Sequence, residues 1–116
     1  MSTFRASVSA GESGPVITLS GEVDLSTIGE FSDLVTAQLA SGTVHLTVDV
    51  TGMSFADSAS MRVLMLAAVT LRKRGGGLVL LRPRAALARL LEIMDADQVI
   101  TVQGQAEVMP EPNGDD

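Results

Sequence analysis

The sequence predicts one α/β domain with a mixed, mostly parallel sheet of about five strands, an N-terminal β-hairpin and helices packed mainly on one face. Two observations support this fold class. Segments in which apolar and polar residues alternate are interleaved with segments in which apolar residues recur every three or four positions. Their order is β-β-α-β-α-β-α-β, and strands separated by helices pair in parallel through right-handed crossovers.

The composition is that of a single domain with an aliphatic core. The 116 residues are a typical length for one domain. Hydrophobic residues make up 46% of the chain and aromatic residues 3%, so aliphatic side chains must form the interior. We expect the domain to span residues 3–106. We expect the acidic segment 107–116 to form a disordered tail.

The first two strands are expected to form the hairpin. Residues 3–9 alternate apolar and polar side chains, and residues 16–19 are mostly apolar. Between them, residues 10–15 (AGESGP) have the composition of a turn. We interpret residues 21–24 (GEVD) as a loop that leads to the first helix.

The first helix should run from about residue 28 to residue 39, because apolar residues recur there at helical spacing. Ser26 or Thr27 can cap it by accepting a backbone N–H bond. Ser41 and Gly42 should end it, because Gly tolerates the left-handed conformation that follows many helices.

The residue pattern in the centre of the chain predicts a strand followed by the longest helix. Residues 44–50 (VHLTVDV) alternate strictly, so one face should pack under helices and the other should be more polar. The inward-facing set is Val44, Leu46, Val48 and Val50. Residues 58–74 then form a helix. Its apolar stripe consists of Met61, Leu64, Met65, Ala68 and Leu71.

The remaining elements complete the alternation. Residues 75–77 (GGG) stop the helix, and we assign them a structural role because they precede a strand and cannot cradle a phosphate at a helix N-terminus. Residues 78–81 form a buried strand, Pro83 begins a helix that reaches Met94, and residues 99–102 form the last strand.

Composition and spacing exclude several kinds of site. The chain has no cysteine, which removes disulfides and thiolate chemistry. His45 is the single histidine, so a catalytic triad or a His-rich metal site cannot be assembled, and we place it on the exposed side of its strand. We find no dinucleotide or phosphate-loop motif and no carboxylate spacing that suits a metal. We therefore expect no metal and no cofactor.

Net charge and hydropathy limit the kinds of partner that the protein is expected to bind. The formal net charge of -6 argues against nucleic-acid binding, which needs a basic face. Six of the eight cations lie in residues 72–89, where they could attract an acidic partner, although helix-dipole compensation and solubility explain them more simply. There is no apolar leader at the N-terminus and no apolar run of the ~20 residues that cross a membrane. We expect a soluble, cytoplasmic protein.

Ser58 is the one candidate for chemistry. It lies where a strand turns into a helix, and parallel α/β sheets place functional side chains at the carboxyl ends of their strands. Asp57 or Ser58 could equally be a helix cap, a role that is compatible with exposure. A nucleophilic role is disfavoured, because no adjacent base or oxyanion motif is recognisable.

Residues 48–68 (VDVTGMSFADSASMRVLMLAA) resemble the signature of the anti-sigma factor antagonists, a family of STAS-domain proteins. The matching residues are Val48, Asp49, Val50, Phe55, Asp57 and Ser58. Residues 19–24 (LSGEVD) resemble the turn that follows the second strand of the family, and residues 75–80 resemble its glycine-led fourth strand. The resemblance extends over about residues 3–103 and implies a STAS-like fold.

The resemblance implies a function and a site. Ser58 would be phosphorylated by an anti-sigma factor serine kinase, with Ser60 as the second choice of acceptor. The unphosphorylated protein would bind that kinase and free a sigma factor, and a protein phosphatase would reverse the modification. The protein would be a substrate of the kinase rather than an enzyme, and a monomer when free. The expected binding surface comprises Glu22, Asp24, Asp57, Ser58, Ser60, Met61 and Arg62.

One alternative stays open. Ser60 and Arg62 occupy positions at which the family usually or often has Gly, a residue that lets a partner's backbone approach closely. The domain could instead be a non-phosphorylated structural or interaction subunit of a signalling or lipid-transport complex.

Overall fold

A computed structural model describes residues 4–23, 26–55 and 58–104, without the side chains of Ser54 and Phe55. The predicted tail, residues 107–116, lies outside this part of the chain. The order of elements agrees with the prediction, with one added 3-10 turn at Ala96–Gln98 before the last strand. The elements are β1 (Arg5–Ala10), β2 (Pro15–Glu22), α1 (Ile28–Ala40), β3 (His45–Phe55), α2 (Ser58–Lys73), β4 (Gly77–Leu81), α3 (Ala85–Ile93) and β5 (Ile100–Gln103).

The strands form one mixed sheet in the order β1-β2-β3-β4-β5. The hairpin β1–β2 is antiparallel and the other three pairings are parallel, which confirms the predicted fold class. Ile17, Val48 and Leu80 lie side by side across the three central strands. All three are buried in the same apolar cluster as Phe31 of α1 and Leu64 of α2. This core is almost entirely aliphatic, as the composition predicts.

Two strands are longer than the sequence pattern indicates. The segment 21–24 was expected to be a loop, but Gly21 and Glu22 belong to β2 and pair with Met53 and Phe55 of an extended β3. Two register shifts interrupt this pairing, and Gly21 has a positive φ of 89°. The regular alternation of residues stops at such irregularities, which is why the pattern does not show that the strands continue.

The alternation in β3 is confirmed at three of its four predicted inward positions. Leu46, Val48 and Val50 are buried, and His45 is exposed as expected. The prediction for Val44 was wrong: it precedes the strand and its side chain is 37% exposed. Its carbonyl oxygen instead accepts a hydrogen bond from the backbone N–H of Gly77, at 2.9 Å.

Helix α1 begins at Ile28, and Thr27, one of the two predicted caps, makes no side-chain capping bond. Thr27 occupies the N-cap position, but its hydroxyl makes no capping bond and donates to the carbonyl oxygen of Glu22, at 3.4 Å. The backbone N–H groups of Glu30 and Phe31 donate to the Thr27 carbonyl oxygen. At the other end, Gly42 has a φ of 89°, as predicted for a helix stop.

The three glycines after α2 have the predicted structural role. Gly75 is left-handed, with a φ of 88°. The N–H of Gly76 donates to the carbonyl of Leu71 at 2.9 Å, and the N–H of Gly75 donates to the carbonyl of Arg72 at 3.0 Å. These two bonds form a Schellman motif, which ends the helix and turns the chain into β4.

Candidate functional site

Ser58 is the first residue of α2, and its side chain is exposed. Strands β2, β3 and β4 are parallel neighbours, so their carboxyl ends lie at one edge of the sheet, and α2 starts from that edge. The predicted location of Ser58 at the strand-to-helix junction is therefore correct. Asp57, which precedes it, lies outside the described residues.

Helix α2 divides the predicted binding residues between two faces. Arg62 follows Ser58 by four residues, and both side chains are exposed. Ser60 and Met61 point into the interior, with side chains that are 1% and 0% exposed. Each residue advances the helix by about 100°, so Ser60 lies ~200° around the axis from Ser58. The fold brings Ser58 and Arg62 together on the surface and places Ser60 and Met61 in the core.

Glu22 is exposed at the last position of β2. In the register of the sheet it lies opposite Phe55, three residues before Ser58 in the sequence. A carboxylate therefore stands at the same sheet edge as the hydroxyl of Ser58. Asp24, the second acid predicted for this edge, lies outside the described residues.

A polar cluster that was not predicted from the sequence anchors β3 upstream of Ser58. The carboxylate oxygen Oδ1 of Asp49 accepts bonds from the hydroxyl and the backbone N–H of Thr51, at 2.6 and 3.0 Å. Arg82 donates from Nε to the hydroxyl oxygen of Thr51 at 2.9 Å and forms an ion pair with Asp49 at 3.5 Å. Arg84 donates from Nε to the Thr51 carbonyl at 3.2 Å. We call Asp49, Thr51, Arg82 and Arg84 the β3 clamp.

Arg82 adopts a backbone conformation that its side chain makes unfavourable. Its φ is 52°, in the left-handed region, which costs a non-glycine residue about 1 kcal/mol or more. Its N–H donates to the carbonyl of Gln103 at 2.8 Å, so the main chain and the guanidinium are both anchored. The spacing Asp49-x-Thr51 is a sequence signal for part of the clamp, because Asp side chains commonly bond the backbone two residues on. No comparable sequence signal indicates that Arg82 belongs to the clamp.

The concentration of cations in residues 72–89 has a structural explanation beyond dipole compensation. Arg72 donates to the carbonyl of Gln98 at 2.8 Å. Arg74 donates to the carbonyls of Leu39 and Thr43, both at 2.9 Å. With Arg82 and Arg84 in the clamp, four of these cations connect elements that are distant in the sequence.

The clamp can be tested by stability measurements. Thr51→Val keeps the shape of the side chain and removes the hydroxyl that links Asp49 to Arg82. We expect it to lower the free energy of unfolding by about 1–2 kcal/mol, because the hydrogen bonds involve charged groups. Urea unfolding would measure the loss. Thr47→Val is the matched control, since Thr47 lies on the same face of β3 and makes no side-chain hydrogen bond in the described part of the chain. Equal stabilities of the two variants would contradict the role of the clamp.

Two further observations concern metal ions and membranes. Among the described residues, no three or more His, Cys, Asp or Glu side chains form a group that could hold a metal ion. The same residues contain no helix that combines the length and the apolar character needed to cross a membrane.

Comparisons with known proteins agree with this architecture. A family model described as "Mlab, STAS domain" matches residues 6–103. An anti-sigma factor antagonist from Mycobacterium paratuberculosis has the same fold, with a TM-score of 0.75 and 21% identity over 89% of this chain and 87% of that one. A comparison with curated protein sequences gave no significant match.

The anti-sigma factor antagonist SpoIIAA has been solved in two forms that share this fold. Its unphosphorylated form gives a TM-score of 0.70 at 16% identity over 90% of each chain. Its phosphorylated form, from Bacillus, gives 0.69 at 16% identity over 88% of this chain and 92% of that one.

Proposed function

Because this chain belongs to the STAS-domain family, we propose that it is an anti-sigma factor antagonist that is switched by phosphorylation of Ser58. The unphosphorylated form binds an anti-sigma factor serine kinase and thereby frees a sigma factor, and the kinase ends the binding by phosphorylating Ser58. A phosphatase restores the active form. The observation that carries the proposal is the exposed hydroxyl of Ser58 at the start of α2.

The structure favours Ser58 over Ser60 as the acceptor. A kinase must bring the γ-phosphate of ATP into line with the attacking hydroxyl oxygen, which requires open space around that oxygen. Ser58 is exposed, whereas the Ser60 side chain is 1% exposed and lies among the core residues of α2. Phosphorylation of Ser60 would require the first turn of the helix to open. Because Ser60 and Met61 are buried, the proposed contact surface comprises only the other predicted residues, Glu22, Asp24, Asp57, Ser58 and Arg62.

The switch acts through charge rather than refolding. A phosphate on Ser58 adds a charge of about -1.5 to -2 at neutral pH. The N-terminus of a helix tolerates this charge, because its free N–H groups point toward it. The modified face would also carry Glu22 and, from the sequence, Asp24 and Asp57. A kinase surface that accepts the neutral serine would then meet a strongly acidic one, and repulsion and desolvation would weaken the complex.

The proposal is tested with the anti-sigma factor serine kinases of the source organism. Incubation with ATP and the cognate kinase should add one phosphate, detected by intact mass and mapped to Ser58 by peptide sequencing. We expect Ser58→Ala to bind the kinase with the affinity of the parent and Ser58→Glu to bind at least ~100-fold more weakly, a difference of about 2.7 kcal/mol. Calorimetry or surface plasmon resonance would measure both affinities.

Two outcomes would overturn this assignment. Equal kinase affinities of Ser58→Ala and Ser58→Glu would contradict a switch at Ser58. A phosphate that is still incorporated into Ser58→Ala would place the modification elsewhere. Ser60→Ala serves as the control, because it should still accept one phosphate at Ser58.

A second function is favoured by one specific observation. The matching family model is described by "Mlab" and makes no reference to sigma factors. A STAS domain that serves as a non-phosphorylated interaction subunit of a signalling or lipid-transport complex is consistent with this description. The mass measurement separates the two functions, since such a subunit would gain no phosphate from any of the kinases.

A further inference from the structure

Arg62 is a cation on the proposed contact surface that has no partner within the described part of the chain. Its side chain is exposed, and no ion pair or hydrogen bond of the described residues involves it. Helix α2, with the sequence SASMRVLMLAAVTLRK, contains no acidic residue that could pair with it. In this respect it differs from Arg72, Arg74, Arg82 and Arg84, which all donate to carbonyl or hydroxyl oxygens.

The spacing of Ser58 and Arg62 brings their side chains together. Residues four apart on a helix lie on the same face, with Cβ atoms about 5–6 Å apart. Both residues belong to α2 and both side chains are exposed, so neither is held in the core. The neutral hydroxyl of Ser58 gives the guanidinium little to bind, but a phosphate at this position would offer three acceptor oxygens within its reach.

The order of the two charges along the helix is also favourable. An acid four residues N-terminal to a base stabilises a helix more than the reverse arrangement. Arginine suits a phosphate because its planar guanidinium can donate two parallel hydrogen bonds, and it stays charged at every physiological pH.

We propose that Arg62 binds the phosphate of phosphorylated Ser58 and holds it over the first turn of α2. This inference rests on the proposed function and adds a second element to the switch. In the unphosphorylated form, Arg62 has no partner among the described residues, and an acidic group of the kinase can contact it. After phosphorylation it is occupied within the same helix, so the partner loses a cation as well as meeting a new anion.

The experiment uses the full chain with phosphoserine incorporated at position 58 during translation, so that no kinase is needed. The second pKa of the phosphate is measured by ³¹P NMR titration at low salt. A bound guanidinium favours the dianion and lowers this pKa. We expect Arg62→Gln to raise it by about 0.2–0.4 unit relative to the parent, and Arg62→Lys to raise it less.

Lys73→Gln is the matched control. It removes one cation from the exposed far end of the same helix, about 22 Å from Ser58 along the axis, where screening leaves little effect on the phosphate. Titration of Glu22→Gln reports the separate contribution of the carboxylate at the sheet edge. A salt series supports direct pairing if the difference between parent and Arg62→Gln shrinks at high ionic strength.

The outcomes separate this inference from the proposed function. If Arg62→Gln and Lys73→Gln give the same phosphate pKa as the parent, Arg62 does not bind the phosphate, while the switch at Ser58 can still operate. If the pKa rises only in Arg62→Gln but the kinase binds phosphorylated and unphosphorylated protein equally, the pairing stands and the proposed function fails.

Discussion

Replacement of Ser60 by Glu is expected to lower the free energy of unfolding by about 3–5 kcal/mol, because it forces a charge into the core without a partner. The Ser60 side chain is 1% exposed and lies in the first turn of α2, beside the fully buried Met61. A carboxylate at this position must either lose its hydration or pull the turn away from the sheet. Urea unfolding with far-ultraviolet circular dichroism measures the change.

The contrast with Ser58→Glu makes this prediction specific. The same substitution two residues earlier places the carboxylate at an exposed helix N-terminus, where acids are favoured by about 0.3–1 kcal/mol. We therefore expect Ser58→Glu to be as stable as the parent or slightly more stable. Ser60→Ala measures the loss of the hydroxyl alone. If Ser60→Glu were as stable as Ser58→Glu, the first turn of α2 would not have the packing described above, and Ser60 would regain its place as a candidate acceptor.

The second large effect is expected from Gly76→Ala. A Cβ atom at this position would overlap the backbone carbonyl oxygen of Val44, which no side-chain rotation can move away. The turn between α2 and β4 and the start of β3 would have to separate, which breaks the 2.9 Å bond from the Gly77 N–H to the same oxygen. We expect a loss of about 3 kcal/mol, which corresponds to a fall of roughly 12–24 °C in the melting temperature of a domain of this size.

Gly77→Ala is the control for this prediction. An added Cβ at Gly77 would meet nothing within 4 Å, and the residue does not have a positive φ. We expect its melting temperature to lie within about 4 °C of the parent value, a change of under 1 kcal/mol. Melting temperatures that fall equally in both variants would show that the close approach of Gly76 to Val44 is not what limits this position.

The fold could be predicted from the sequence to the level of element order, pairing type and aliphatic core. Local signals were sufficient, because each helix and strand carries its own period and is bounded by glycine or turn residues. The extension of β2 to Glu22 and of β3 to Phe55 was not predictable, since pairing between two strands maintains it across register shifts.

The candidate site was only partly predictable. The resemblance to anti-sigma factor antagonists indicated Ser58, which the structure places at an exposed helix start. Met61 already belonged to the apolar stripe of the predicted helix, and Ser60 lies four residues before Leu64 on the same side, so the helical period contained the evidence for their burial. The link from Asp49 to Arg82 joins residues 33 positions apart, which no local pattern can reveal.

The β3 clamp also determines when, during synthesis, the strand that leads to Ser58 becomes fully anchored. Arg82 reaches back to Asp49 and Thr51, and its own N–H is bound by Gln103, in the last strand. On the ribosome, Ser58 emerges well before Arg82 and Gln103 do. A nascent chain that has not yet released β5 therefore lacks the Gln103 carbonyl that binds the main chain of Arg82, a member of the β3 clamp. A partner that needs the complete β3 clamp would therefore recognise the chain only after β5 has been synthesised.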